Sequence, residues 1–208
     1  MPSTVDDVFA AAGLQPVGAV PWGAPVPEAG PGVYVVALTA DPGSTAAALP
    51  NCPLDPAAVG TLMARPELTV DRLPTTPEGL RSRLAAFWLP DEVVLYIGLA
   101  GTSLRQRVGQ YYKTPLGKRS PHAGGWFLKT LTVLPDTWVH YAATDDPAGA
   151  EDRMLAAFSA AVSEASRAAL HDSDRPIPFA NLEWPKRRIK LHGIGGAKDR
   201  RVKPSSRP

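Results

Sequence analysis

Proline and glycine interrupt this sequence so often that only a few stretches can be regular. There are 23 prolines and 18 glycines, about a fifth of the 208 residues. Proline fixes φ and removes a backbone donor, while glycine loosens the chain, so both gather in turns and loops. The uninterrupted stretches must therefore carry the core. Residues 32–38, Gly-Val-Tyr-Val-Val-Ala-Leu, follow a Gly-Pro break and read as a buried strand. Residues 93–98, Val-Val-Leu-Tyr-Ile-Gly, read as a second strand, and residues 137–143 as a third.

Helices fill several of the remaining gaps. One short helix is expected over 3–12, followed by an irregular lead-in through residue 31. Two more are expected over 55–64 and 77–88, the latter with Leu80, Leu84 and Phe87 on one face. Thr102 or Ser103 can cap a helix that runs to Tyr112. Asp146-Pro147 is a helix start, an N-cap acid followed by proline at the first helical position. That helix is expected to reach about residue 170, with Leu155, Phe158 and Val162 facing inward. Residues 114–125 read as a basic loop, 126–131 as a short apolar segment of either type, and 176–179 as extended chain ending at 181–184. The tail beyond Pro185 is basic and reads as mobile until bound. The sum is an α+β domain without internal repeats.

Hydrophobic residues make up 44% of the chain and charged residues 20%, which excludes a wholly disordered polymer. The lone Cys52 cannot form an internal disulfide. The first residues carry acids where a signal peptide has bases, and no apolar run approaches the ~20 residues of a membrane span. The expectation is a soluble, cytoplasmic protein with no membrane partner.

The formal net charge of +2 conceals a strong pattern. Residues 1–92 hold 4 bases and 10 acids, whereas 93–135 hold 6 bases and no acid. Residues 136–185 hold 3 bases and 9 acids, and the last 23 residues hold 9 bases against Asp199 alone. Basic blocks of this kind suit a phosphate backbone, whose counterions they release, although a solvated face has the same signature.

Common catalytic signatures are missing. There is no phosphate-loop sequence, no H-E-x-x-H, no cysteine–histidine ligand set and no G-x-S-x-G elbow. Gly193-Ile194-Gly195-Gly196 lacks the flanking strand and helix of a phosphate loop. The four histidines, 122, 140, 171 and 192, are scattered. Hydride transfer and serine or cysteine acyl chemistry thus have no visible basis.

Other polar residues stand where folding does not demand them. Arg107 lies four residues before Tyr111, beside the stripe of Leu104, Val108 and Tyr111, and its guanidinium suits phosphate oxygens. Glu151 lies beyond the first turn of its helix, near the inward-facing Met154 and Leu155. A carboxylate there needs a partner, either Arg107 or a hard cation such as Mg²⁺. Tyr34 and Tyr96 each sit in an apolar strand close to a glycine that lets another group approach.

Taken in order, Gly32-Val33-Tyr34, Tyr96-Ile97-Gly98, Arg107, Glu151 and Asn181 resemble the GIY-YIG nuclease family. Arg107-Val-Gly-Gln-Tyr111-Tyr112 is similar to the arginine helix of its excision-repair members. The resemblance spans about residues 30–185. Val33 replaces the usual isoleucine, the stretch between the two motifs is far longer than in minimal members, and Tyr111 falls where several members have histidine or another tyrosine. Long insertions at that point are similar to those of some restriction enzymes in the family.

The resemblance implies a three-stranded central antiparallel sheet flanked by helices over residues 32–185. An irregular and helical insertion at about 41–92 would separate the first two strands, with residues 1–31 as lead-in and 186–208 as the basic tail. It also implies endonucleolytic hydrolysis of DNA, RNA not being excluded, with one Mg²⁺ or Mn²⁺ per site held by Glu151. Tyr34 would orient or deprotonate the attacking water, supported by Tyr96 and Tyr111. Arg107 would stabilise charge on the phosphate, and Asn181 would orient groups at the rim. Arg105, Lys113, Lys118, Arg119, His122 and Lys129 would line the nucleic-acid track, extended by Lys186, Arg187, Arg188 and Lys190. A restriction or defence enzyme is the leading reading. The alternatives are a structure-specific repair nuclease and a non-catalytic nucleic-acid-binding module. A homodimer would be needed to cut both strands together.

Overall fold

The computed structural model describes residues 2–122, 124–184 and 188–199. Along the chain run helix α1 (Val5–Ala11), strands β1 (Gly18–Pro21) and β2 (Gly32–Ala37), helix α2 (Pro56–Met63), strand β3 (Thr69–Val70) and helix α3 (Pro77–Ala85). Strand β4 (Val94–Ala100), helix α4 (Leu104–Lys113), strand β5 (Trp138–Ala143), helices α5 (Pro147–Ala161) and α6 (Glu164–Ala169) and strand β6 (Ile194–Gly195) follow. The architecture is α+β: an open, antiparallel four-stranded sheet in the order β1-β5-β2-β4, with six α-helices among the described residues.

The three expected strands form the contiguous set β5-β2-β4. The sheet nevertheless has a fourth strand, β1, in the lead-in read as irregular. It pairs with β5 from Gly18↔Tyr141 to Pro21↔Trp138. A four-residue segment with glycine and proline at its ends carries no strand periodicity of its own, and only the partner edge of β5 makes it a strand.

Helix caps sit where the sequence puts them. Ser103 accepts from the Gln106 N–H at the start of α4, and Asp146 accepts from the Gly149 N–H at the start of α5. The last long helix ends earlier than expected. The chain leaves helical geometry at Val162, and Ser163 caps α6 by accepting from Ser166 N–H. A serine side chain that captures a backbone donor restarts the helix on a new axis. Residues 126–131 resolve into a 3₁₀ turn, Trp126–Thr130.

Alternation along β2 splits the core. Val33, Val35 and Ala37 face a cluster with Val5, Phe9, Met154 and Phe158, while Tyr34 and Val36 face a second cluster. That second cluster contains Leu62, Leu80, Leu84 and Phe87, so the 41–92 insertion shares its core with the sheet.

The tail is not loose between residues 188 and 199. Strand β6 pairs with β3, Arg65 Nε donates to the Gly196 carbonyl at 2.9 Å, and Arg65 also meets Asp199 at 2.9 Å. The expected mobility of this stretch is therefore corrected. Glycine here supplies turns at positive φ (Gly193 and Gly196) that fasten the tail to the insertion. The expectations for Lys186 and Arg187 lie outside the described residues, as does the remainder of the tail.

Candidate active site

The site is built on a break in strand pairing. Val36 faces Tyr96, but Ala37 faces Val94, so Leu95 is an extra residue in β4, a bulge just before Tyr96. Bulges re-aim side chains, and here Leu95 and Tyr96 both enter the same core cluster. Across the pair, Tyr34 faces Gly98. A Cβ at Gly98 would lie 2.6 Å from the Tyr96 ring and 2.8 Å from Tyr34 Cζ. The second-motif glycine is thus the space into which two tyrosine rings fit, with centroids 5.8 Å apart. Gly32 has a comparable function, since a Cβ there would come within 2.7 Å of Leu104 and overlap the Ala142 carbonyl.

Behind these rings lies a third layer. Tyr34 Oη is 3.3 Å from His122 Nε2, and the His122 ring stacks on Tyr111 at 4.3 Å with planes 5° apart. Thr114 Oγ1 accepts from the His122 N–H at 3.0 Å, and Tyr111 Oη donates to the Gly125 carbonyl at 2.6 Å. Thr114, the C-cap of α4, carries no functional signal of its own in the sequence. Burial is the main force on all these groups. It pushes Tyr96 up to about 12 and Tyr34 and Tyr111 well above the ordinary phenol range. The Glu151 charge adds to the effect on Tyr96, while Arg107 opposes it. Burial, with the positive Arg107 next, pulls His122 down to about 4, so its imidazole is neutral at physiological pH.

The solvent-facing wall is different from the sequence expectation. A cavity of about 440 Å³ is lined by Tyr96, Gln106, Arg107, Gln110 and Glu151, among others. A second cavity, about 720 Å³, shares Tyr96 and Glu151 with the first and continues past Arg119, Asn181 and Trp184. Tyr34, 0% exposed, lines neither. It stands behind Tyr96, so the expected direct access of Tyr34 to a solvent molecule is corrected: the residue is enclosed. Tyr111, also expected near the chemistry, is equally enclosed. Arg107 and Glu151 line the same cavity.

Asn181 is corrected as well. Only 5% exposed, its Oδ1 accepts from the Ile97 N–H at 2.9 Å and its Nδ2 donates to the Ile97 carbonyl at 2.8 Å. With Ala180 N–H donating to the Leu95 carbonyl at 2.9 Å, this segment closes the outer edge of β4. Its amide bonds the strand, and the residue also lines the second cavity.

The basic residues divide by environment. Arg105 donates to the carbonyls of Val26 and Pro27, Lys118 pairs with Asp199 at 3.1 Å, and Arg119 donates to the Asp199 carbonyl. All three stay exposed, as do Lys113 and Arg188. Lys129 lies over the rings of Trp22 and Tyr111 at 5.9 and 5.6 Å, and burial lowers it to about 8. Lys190 contradicts its expected place on the nucleic-acid track. It is 2% exposed, and its ammonium donates to the carbonyls of Pro178 at 3.1 Å and Phe179 at 2.9 Å. A charge in a basic tail reads as a surface charge, and nothing local announces that the tail folds inward. His122 is likewise buried, so it faces Tyr34 rather than a phosphate.

Comparison with known proteins returned no match: no family model, no curated protein and no solved structure corresponds to the chain. Its chemistry has to be argued from the site.

Proposed function

We propose that the chain is a metal-dependent endonuclease of the GIY-YIG type that hydrolyses DNA phosphodiester bonds. One observation carries the reading. A phenol from β4, a guanidinium from α4 and a carboxylate from α5 line one open cavity, as Tyr96, Arg107 and Glu151. Three groups of those types, brought from three elements to one cavity, fit the needs of phosphoryl transfer, which asks for positioning and charge neutralisation.

The donor set fits one hard cation. Among the described residues no three histidine, cysteine, aspartate or glutamate side chains converge, so a closed all-protein cage is not the relevant geometry. Mg²⁺ commonly keeps several waters and takes one or two carboxylates, which suits Glu151 in an open polar cavity. Bound there, Mg²⁺ or Mn²⁺ would supply charge neutralisation at the phosphate and acidify a coordinated water.

The chain's own groups take complementary parts. Arg107 binds a non-bridging phosphate oxygen and holds it as negative charge grows. Tyr96 orients the attacking water by hydrogen bonding. Tyr34 fixes the Tyr96 ring from behind. His122 Nε2, 3.3 Å from Tyr34 Oη, holds that phenol in place. The exposed bases Arg105, Lys113, Lys118, Arg119 and Arg188 supply the phosphate track.

Incubation with plasmid, branched and single-stranded DNA, and with RNA, in the presence of Mg²⁺ tests the proposal. Discrete plasmid fragments support a restriction enzyme, and cutting confined to junctions or flaps supports a repair nuclease. No cleavage of any substrate overturns the nuclease reading.

A further inference from the structure

The larger cavity is not explained by phosphate chemistry. At about 720 Å³ it exceeds what a phosphate and its cation require, and it falls in the range of sites that enclose a small organic ligand. Its lining is mixed: Glu151, Asp152, Glu183, Arg119 and Lys198 bring charged groups, and Leu155, Leu182 and Trp184 bring apolar surface.

Trp184 is held in one orientation. Its Nε1 donates to Asp152 Oδ1 at 3.1 Å, and the ring packs in part against the core cluster under α5. A half-buried indole with its polar atom engaged leaves aromatic surface as its remaining resource. Gly124, Gly125 and Gly149 also line the cavity. Gly125 sits at φ +61, a left-handed conformation that glycine adopts readily. Glycine backbone and a fixed aromatic side chain share this lining, a composition that suits a slot for a flat ring.

We propose that this cavity is a nucleobase subsite. It takes the base of an unstacked nucleotide next to the scissile phosphate, stacked on Trp184, with Arg119 and Lys198 on its backbone. The inference rests on the nuclease reading for the position of that phosphate, but base capture itself needs no cleavage. Bases stack on aromatic side chains with little regard to sequence, because each has a π face. The apolar side chains of Leu155 and Leu182 on the lining suit the same ring. Duplex DNA would reach the slot only with a nucleotide turned out of the stack, an energetic cost smallest at mismatches, flaps and single strands.

Binding by the full-length chain without divalent metal separates this subsite from catalysis. The probes are a short fluorescent oligodeoxycytidine and an abasic strand of the same length, which has the same phosphates and no bases. Wild type should bind the oligodeoxycytidine more tightly. Trp184→Ala should weaken that binding about tenfold and leave the abasic strand within about twofold, whereas Trp184→Phe, which keeps an aromatic face, should stay within about threefold. The Trp184 contribution to protein fluorescence, taken as the difference between wild type and Trp184→Phe, should be quenched by oligodeoxycytidine alone.

Equal binding of both strands by wild type overturns the subsite. So does an equal loss on both strands, or no loss, in Trp184→Ala, and so does failure to bind either strand. Base-dependent binding without cleavage under any metal would leave the subsite standing and remove the nuclease reading. Glu151-dependent cleavage indifferent to Trp184 would do the reverse.

Discussion

Asn181 and Ile97 exchange two hydrogen bonds, of 2.9 and 2.8 Å, so that one side-chain amide completes the backbone pairing of the strand that carries Tyr96. An asparagine that follows the helices of the chain thereby helps to fix the strand that carries a cavity residue.

Replacing Asn181 with alanine should destabilise the protein by about 3 kcal/mol, because it strands a buried donor and a buried acceptor of Ile97. Urea unfolding measures the loss. Asn181→Asp should be at least as damaging, since a carboxylate restores the acceptor but faces the Ile97 carbonyl with like polarity. A change below about 0.5 kcal/mol in both variants would mean that water replaces the amide at the strand edge.

Glu92 predicts a pH dependence of stability. It is buried, accepts from the Ser3 N–H at 3.0 Å, and is raised to about 7 chiefly by burial, with the Asp91 charge adding to the shift. The folded state holds this proton more tightly than the unfolded state does. Its contribution is therefore full below the unfolded pKa, near ~4.3, and is lost as pH rises through about 7. Glu92→Gln has no proton to lose. Relative to wild type it should gain roughly 2 kcal/mol between about pH 5 and about pH 8. Denaturant titrations at the two pH values check this, and a constant difference between the proteins would contradict it.

The basic residues should separate by salt dependence. Arg119 is exposed and lines the larger cavity, so Arg119→Ala should reduce the slope of log affinity for DNA against log salt by about one. Lys190 is sealed beneath Phe87 and Phe127, with its ammonium 5.4 and 5.8 Å from their rings. Lys190→Met should leave the slope unchanged. Fluorescence anisotropy over a salt series gives both numbers, and a lower slope in Lys190→Met would return that residue to the nucleic-acid track.

How much of this was legible in the sequence depends on how local each signal was. The strands around Tyr34 and Tyr96 were readable because apolar β-branched runs stand between breakers. The caps Ser103 and Asp146 were readable from their positions alone. Strand β1 was not, because its pairing with β5 joins residues far apart in the chain. Leu95 shows the same limit: a bulge is a property of register between two strands, and the sequence of one strand does not contain it. At the site, Arg107 and Glu151 were found because a charge on the edge of an apolar face is locally anomalous. The burial of Lys190 and Asn181 is not local: it depends on how residues 176–184 and 188–199 pack against the rest of the chain. In the sequence Trp184 reads only as part of a segment end, and its cavity exists only once α5 and that segment meet.

The central claim is that Glu151 and Arg107 serve phosphodiester hydrolysis, and single-turnover DNA cleavage with Mg²⁺ tests it most directly. Wild type should cleave. Glu151→Gln should lose about a thousandfold in rate and Arg107→Ala at least a hundredfold, with both variants folded by circular dichroism. Wild-type rates in folded Glu151→Gln would contradict the account.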